Sequence, residues 1–403
     1  MKSNQKFWWI VVLLLVATSL SFLDRQVLSV TIIKIKDDLI ITDVDYGFIN
    51  AGFLVSYAIM FTVGGILIDK YGSRMGLAFS VGFWSLATVL HSFAGNVFQF
   101  TAFRFLLGLG EGGCFPGAVR AVIEWVPTEK RALANGIAIG GAAFGAVLAP
   151  PLCAYFLGFV GWRWVFVITG AIGFLWLAIW LYSTGKIQRV NTSEIIEKQS
   201  IKSIISRKDT IIFMMMRFFL DPILYFYMFW IPKYLNETHD MSIDTIGQVL
   251  WIPFLALGVA NIIGGWFSDL LYQKFKMLNQ SRMIVMGLAA LLTLPVALIG
   301  IFDSYTIILS AMTLAFFAHG LWITNYITSI SDVFGRNSVS TVVGLSGSAG
   351  ALSSVVLNPI IGYIISIYSY DSLWLYCGLM YPVVFIGYWI YQSNKKLSLS
   401  ATV

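Results

Sequence analysis

Long apolar runs alternate with short polar gaps along the chain. Twelve of the runs are long enough to cross a bilayer, which takes about 17–25 helical residues. They lie near 7–33, 45–68, 74–93, 97–119, 133–157, 162–184, 209–234, 244–268, 282–301, 304–330, 339–365 and 371–392. The runs are apolar throughout rather than at every second position, so they predict helices and exclude a membrane β-barrel. The longest polar gap, 185–208, is basic and rich in Ser and Thr. It predicts a solvated cytoplasmic linker between two six-helix bundles, 1–184 and 209–403.

The halves echo each other. Phe22-Leu23-Asp24 returns as Phe219-Leu220-Asp221, and Gly64-Gly65 with Asp69 returns as Gly264-Gly265 with Asp269. Glu124, Gly136 and Pro151 return in the same order as Asp332, Gly344 and Pro359. The expected fold is therefore an all-α membrane protein of twelve transmembrane helices in two parallel six-helix repeats, an architecture used for alternating access.

Composition agrees with the pattern. Of 403 residues, 58% are hydrophobic and 11% charged, against about 25% charged in an ordinary soluble domain. The formal net charge of +6 is scattered between apolar runs, which argues against nucleic acid and for the lipid bilayer as partner. Placing the N-terminus inside puts Lys70, Arg74, Lys130, Arg131, Lys198, Lys274 and Arg336 on the cytoplasmic side. The other side then holds Lys34, Lys36, Arg163 and Lys233 beside Asp37, Asp38, Asp43 and Asp45. Only that orientation satisfies the positive-inside rule, so both termini are expected in the cytoplasm. Cys114, Cys153 and Cys377 lie in apolar runs without metal-ligand spacing and read as buried free thiols.

Against this background a few charges stand out. Asp24 and Arg25 sit in the middle of the first run, where each charge costs roughly 2.5–3.5 kcal/mol on insertion scales. Two such charges side by side point to a cavity rather than to lipid. Arg104 and Glu111 are seven residues apart in the fourth run, RFLLGLGEGGCFPG. That spacing puts them on one helix face but about 10 Å apart along the axis, so a bridge through another helix, water or Asp24-Arg25 is expected. Burial disfavours a charged carboxylate, which makes Glu111 a candidate proton carrier, with a static ion network as the alternative. Gly108, Gly110, Gly112 and Gly113 let a neighbouring backbone approach this helix and let the helix bend.

Gly65-Ile-Leu67-Ile-Asp69-Lys-Tyr-Gly72-Ser-Arg74 joins the second and third runs. Asp69 and Arg74 can pair there across a tight turn, or face a neighbouring helix end. With Asp269 as the echo, these residues read as a gate or latch and not as a substrate site. Arginine's planar fork matches a carboxylate. Further candidates to line a site within the bilayer are Tyr225, Tyr227 and Trp230 on the seventh run, Trp322, Asn325 and Tyr326 on the tenth, and Asn358 on the eleventh. Asn325 and Asn358 stand above the aromatics, because a mid-membrane amide needs a partner. Arg217 and Asp221, four apart, read as a second ion network. His319 reads as a hydrogen-bonded core residue that could also titrate, and His91 and His239 as lying near membrane edges.

The G-x-L-x-D-x-x-G-x-R stretch resembles the signature of the major facilitator superfamily. Leu23-Asp24-Arg25 followed by Arg104 and Glu111 resembles its anion:cation symporter branch. EWVP at 124–127, Arg217 to Pro222, Trp230 to Pro232, Phe317-Ala-His319 and Ser331 to Asn337 are similar to bacterial hexuronate (glucuronate and galacturonate) transporters. The resemblance covers essentially the whole chain. It implies that Arg25 engages a substrate carboxylate, that Asp24 and Glu111 are linked to the proton, that Arg104 partners Glu111, and that Tyr57 lines the anion site. The fifth run, GGAAFGAVLAPP at 140–151, lacks the amide found in some sugar-acid relatives, so the particular sugar stays open.

The expected function is secondary import of a small carboxylated sugar, a hexuronate or related acid, by proton symport. The protein would sit in a bacterial inner membrane, as a monomer, without cofactor or metal. Coupling to Na+ and carriage of another anion (aldonate, monocarboxylate or phosphate) stay open as alternatives. A non-transporting receptor or a membrane enzyme is the weaker reading, because no HExxH occurs; without a P-loop, a nucleotide-driven pump is disfavoured.

Overall fold

The computed structural model describes residues 3–127, 131–186, 201–302 and 304–400, except for the side chains of 3–6, 69, 131–133, 186, 201, 335–340 and 396–400. The expected linker falls largely on 187–200, outside the described residues. The described chain is helical with short turns, and the helices long and apolar enough to span a membrane are α1 Phe7–Leu39, α2 Asp43–Ile68, α3 Ser73–Phe93, α4 Val97–Trp125, α7 Lys208–His239, α8 Ile243–Phe275, α9 Leu278–Ile301, α10 Tyr305–Phe334, α11 Thr341–Ile367 and α12 Asp371–Lys395. A further stretch, Ala134–Gly185, is 52 residues long and is broken at Gly161, where φ is 75°. Only glycine adopts that backbone freely. The break yields α5 (134–160) and α6 (162–185) and brings the number of such helices among the described residues to the predicted twelve.

The chain forms two compact units. One comprises Met1–Ile195, Tyr225–Trp251 and Ala351–Ile367, and the other Ile196–Leu224, Ile252–Gly350 and Tyr368–Val403. In the first unit, close helix contact rests on small residues, as expected where lipid supplies little hydrophobic drive. A Cβ on Gly145 of α5 would lie 2.0 Å from the Ser19 carbonyl oxygen of α1, and one on Gly141 would lie 2.1 Å from that of Leu15. Hydroxyls reinforce the contact, with Thr18 donating to Ala138 O (2.6 Å) and Ser19 to Gly141 O (2.9 Å).

The α4 glycines act as the sequence predicts. Gly108 meets Ser56 and Phe53 of α2, and Gly110 meets Trp84 of α3. A turn at Gly112–Gly113 then breaks the helix just beyond Glu111. The start of α2 is fixed by a reciprocal capping box, with Asp45 N donating to Thr42 Oγ1 (3.1 Å) and Thr42 N to the Asp45 carboxylate (3.0 Å). Gly145→Ala is expected to cost about 1–3 kcal/mol through overpacking, whereas Gly158→Ala, with nothing near its added methyl, should be neutral or slightly stabilising. Thermal unfolding of the detergent-solubilised protein measures both.

Candidate functional site

Successive residues of an α-helix point about 100° apart, and this angle decides what the two charges of α1 meet. Arg25 turns toward α2 and α4. Its Nη2 donates to Glu111 Oε2 at 2.8 Å and its Nε to the same oxygen at 3.2 Å. Ser21, one turn earlier on the same face, donates to that oxygen too (3.1 Å). The guanidinium carbon lies 4.6 Å from the Phe22 ring, 5.0 Å from Phe53 and 4.7 Å from Tyr57, a cation–π cage. Arg25 and Glu111 are 3% and 0% exposed, and removing one partner from a pair this dry leaves an uncompensated charge.

Asp24 turns the other way. Both of its oxygens are buried without a hydrogen-bond partner, although Thr88 and Thr169 lie close by. Arg104 and Glu111 share a face, as their spacing predicts, and the bridge between them is Arg25. Arg104 does not hold Glu111; its Nη2 donates to the backbone oxygen of Arg25 (3.2 Å), while its Nε and Nη1 are buried without partners. The two turns of helix between Arg104 and Glu111 keep them apart, and Arg25 reaches Glu111 first.

Several expected ligand contacts are committed elsewhere. Asn358 accepts from Trp230 Nε1 (3.1 Å) and donates to Ser354 O (2.9 Å), so it ties α11 to α7 instead of facing a ligand. The Asn325 amide nitrogen donates to Gly264 O (3.1 Å) and Leu321 O (2.9 Å), stapling α10 to α8, and only its oxygen is left over. The mid-membrane amides did need partners, but they found protein. Tyr57 stands beside Arg25, and Tyr227 is buried on α7.

At the signature turn, Gly72 takes φ 80° between α2 and α3. The Asp69 side chain lies outside the described residues. Arg74 donates to Thr184 Oγ1 (3.2 Å) and Leu181 O (3.3 Å) in the last described turns of α6. It thus meets a helix end, one of the two arrangements expected, while the pairing with Asp69 falls outside the described residues. The echo is paired, with Arg282 donating to Asp269 (2.9 Å), Ser268 (2.7 Å) and Asp332 (3.3 Å). A hollow of about 440 Å³ beside the turn is lined, among the described residues, by uncharged side chains such as Met60, Leu67, Ile68, Met75 and Phe79.

Arg217 and Asp221 pair as expected (2.7 Å). His319 shares a hydrogen bond with Tyr381. His91 lies in the last turn of α3, at the end of the span as expected, and is enclosed by protein; its Nδ1–H donates to Ala87 O (2.7 Å) and its ring stacks on Phe166 at 5.0 Å.

Two features escaped the sequence. The first is a charge cluster: Lys233 on α7, fully buried, meets Asp43 of α2 (2.8 Å) and Glu237, and Lys36 of α1 also reaches both acids. Nearby, Tyr46 donates to Phe229 O (2.6 Å). The second is Asn50, 1% exposed, whose amide lies beside the Tyr46 hydroxyl. Its signal was the spacing Tyr46, Asn50, Phe53, Tyr57, which marks one helix face.

Comparison with known proteins decides the family. Residues 14–358 match the Major Facilitator Superfamily. The chain belongs to that superfamily. Superfamily relatives include the hexuronate transporter of Escherichia coli (strain K12), 26% identical over 96% of this chain and 94% of that one. The probable galactarate/D-glucarate transporter of Bacillus subtilis (strain 168) is 30% identical over 91% of this chain and 87% of that one. The D-xylose-proton symporter has the same fold, with a TM-score of 0.75 at 15% identity over 94% of this chain and 96% of that one. A bacterial homolog of the human lysosomal transporter Spinster also scores 0.75, at 20% identity over 94% and 90%. The protein is thus a multi-pass membrane transporter of the major facilitator fold and not an enzyme.

Removing Lys233 leaves two acids facing one lysine. Lys233→Met is expected to cost about 3 kcal/mol in thermal or denaturant unfolding, and adding Asp43→Asn should recover part of that loss.

Proposed function

We propose that the protein imports a small sugar acid, a hexuronate or a related acid, by proton symport across a bacterial inner membrane. The observation that carries this reading is the Arg25–Glu111 pair, in which a protein carboxylate already occupies the arginine fork that would hold a substrate carboxylate. A proton on Glu111 weakens that hold, and the incoming carboxylate takes its place on Arg25. Phe22, Phe53 and Tyr57 around the guanidinium offer flat faces to a sugar ring. Loss of the substrate on the other side returns Arg25 to Glu111 and drives the proton off.

Asp24 would be the second proton-linked group, since a carboxylate without a donor is costly to keep charged in a dry site. Each proton carried cancels one anionic charge, and an anion entering alone would work against about 2.3 kcal/mol per 100 mV of inside-negative potential. The names of the relatives support the substrate class, and the positive-inside pattern supports cytoplasmic termini. The functional unit in this reading is a monomer of two six-helix halves joined across 185–208. Na+ in place of the proton, with an aldonate, monocarboxylate or phosphate as cargo, is the competing reading.

Labelled glucuronate, galacturonate and galactonate offered to proteoliposomes under an imposed pH gradient test the reading. Uptake should follow the proton gradient and persist when Na+ is replaced. Arg25→Ala should lower apparent affinity about tenfold or more, the loss of a charge-assisted pair. Entry of a neutral sugar with exclusion of all three acids would refute it, as would undiminished affinity in Arg25→Ala.

A further inference from the structure

Asp24 leaves α1 on a different face from Arg25, and what it meets there is a seam between α3 and α6. Ser85, Thr88 and His91 follow at three-residue spacing on α3, and Phe166, Thr169 and Gly173 at three and four on α6, so each set shares a helix face. The two faces meet in layers. The His91 ring stacks on Phe166 at 5.0 Å, and a Cβ on Gly173 would lie 2.0 Å from Ser85 Oγ. In the layer between, Thr88 and Thr169 both stand beside the Asp24 carboxyl. Ser85, Thr88, Thr169 and Asp24 are all buried.

These hydroxyls have little other use. Inside a helix, threonine often returns its hydroxyl to the carbonyl one turn back, as Thr31 of α1 does to Val27 O (2.7 Å). Thr88 does not; its Oγ1 and Ser85 Oγ make no bond elsewhere among the described residues, and Thr169 reaches Phe166 O only at 3.4 Å. The other ionisable neighbours of Asp24 act through space, namely Arg104 and Glu111 on α4 and Cys153 on α5, while His91 spends its Nδ1–H on Ala87 O. A hydroxyl rotates and both donates and accepts. Two of them can donate to an ionised carboxylate, and either can accept from a protonated one. A group that gains and loses a proton in a dry site needs that choice, and a fixed cation does not offer it.

Building on the proton-symport reading above, we propose that Thr88 and Thr169 are positioning residues for the coupling proton, turning to donate to Asp24 whenever it is ionised. The Asp24 carboxylate takes up one proton on loading and gives up the same proton after the substrate has left. The two hydroxyls then carry the ionised carboxylate through the empty return. Proton and substrate carboxylate are thereby handled on separate faces of α1, at the α3–α6 seam and at Arg25, and the seam can fail without loss of substrate affinity.

Exchange of substrate across the membrane runs with Asp24 protonated throughout, whereas net uptake needs the ionised carboxylate on every return. Both are measured in proteoliposomes with labelled glucuronate or galactarate, whichever the wild type carries. Thr88→Val and Thr169→Val keep the shape and remove the hydroxyl. Each should slow proton-driven net uptake about tenfold at unchanged KM, as for one lost hydrogen bond to a charged group, and leave exchange at the wild-type rate. Thr88→Ser should restore net uptake. Asp24→Asn should exchange without net uptake, and adding Thr88→Val to it should change neither rate, because the threonine acts through Asp24. If a valine variant does not reach the membrane folded, Thr88→Ala and Thr169→Ala are read in the same way. Equal loss of exchange and net uptake, or an effect that persists in Asp24→Asn, marks a structural role and overturns the proposal. Wild-type uptake that ignores the proton gradient sinks the symport reading and the seam's role with it, whereas proton-driven uptake unchanged in both variants sinks the seam alone.

Discussion

A fully buried arginine and a fully buried glutamate holding each other are the constraint around which the first unit is built. In a medium with little water neither charge tolerates losing its partner, so α1 and α4 must meet at one height and one rotation. The glycines of α4 make this possible by letting α2 and α3 come within backbone contact, and those of α5 do the same against α1. Close approach in turn brings Phe53 and Tyr57 against the guanidinium. The rigid packing of these helices and the chemistry of the site therefore have one origin, which is the need to keep a mid-membrane charge pair dry and matched.

The other charges follow the same rule with different partners. Lys233, with no exposure, is surrounded by two acids and a second lysine, while Arg282 sits between Asp269 and Asp332 in the second unit. Arg74 is satisfied by a helix end and Glu124 by the N-terminus of α3, where Ser73 donates to it through both N and Oγ. Among the described charged side chains of the first unit, Asp24, Arg104 and Glu111 (through one oxygen) carry buried atoms without a hydrogen bond. An alternating-access protein needs somewhere to place a proton and a ligand, and groups without internal partners are suited to both.

Much of this was legible in the chain. Twelve crossings follow from run length, and α5 and α6 are separated only by a glycine with positive φ, which run length alone resolves. Asp24, Arg25, Arg104 and Glu111 announced themselves because charge is expensive in an apolar run, and the seven-residue spacing correctly demanded a bridge. The choice of partners was not legible. Which of Asp24 and Arg25 meets Glu111 depends on helix rotation, and Asn358 is spent on a Trp230 lying 128 residues away. Lys36, Asp43 and Lys233 entered the sequence reading only as counts for orientation, since nothing local ties positions 36 and 43 to 233. Asn50 was overlooked as one amide in an apolar run, although its spacing from Tyr46 and Tyr57 placed it on the site's face.

The central claim is that a substrate carboxylate and a proton exchange for each other at the Arg25–Glu111 pair. Proton uptake on substrate binding tests it without any need for transport. The purified protein, in weakly buffered detergent with a pH-indicator dye, is titrated with glucuronate or galactarate. The account expects protons to be taken up as the acid binds and the Glu111 share of that uptake to vanish in Glu111→Gln. Binding with no proton uptake, or the same uptake in wild type and Glu111→Gln, would contradict it.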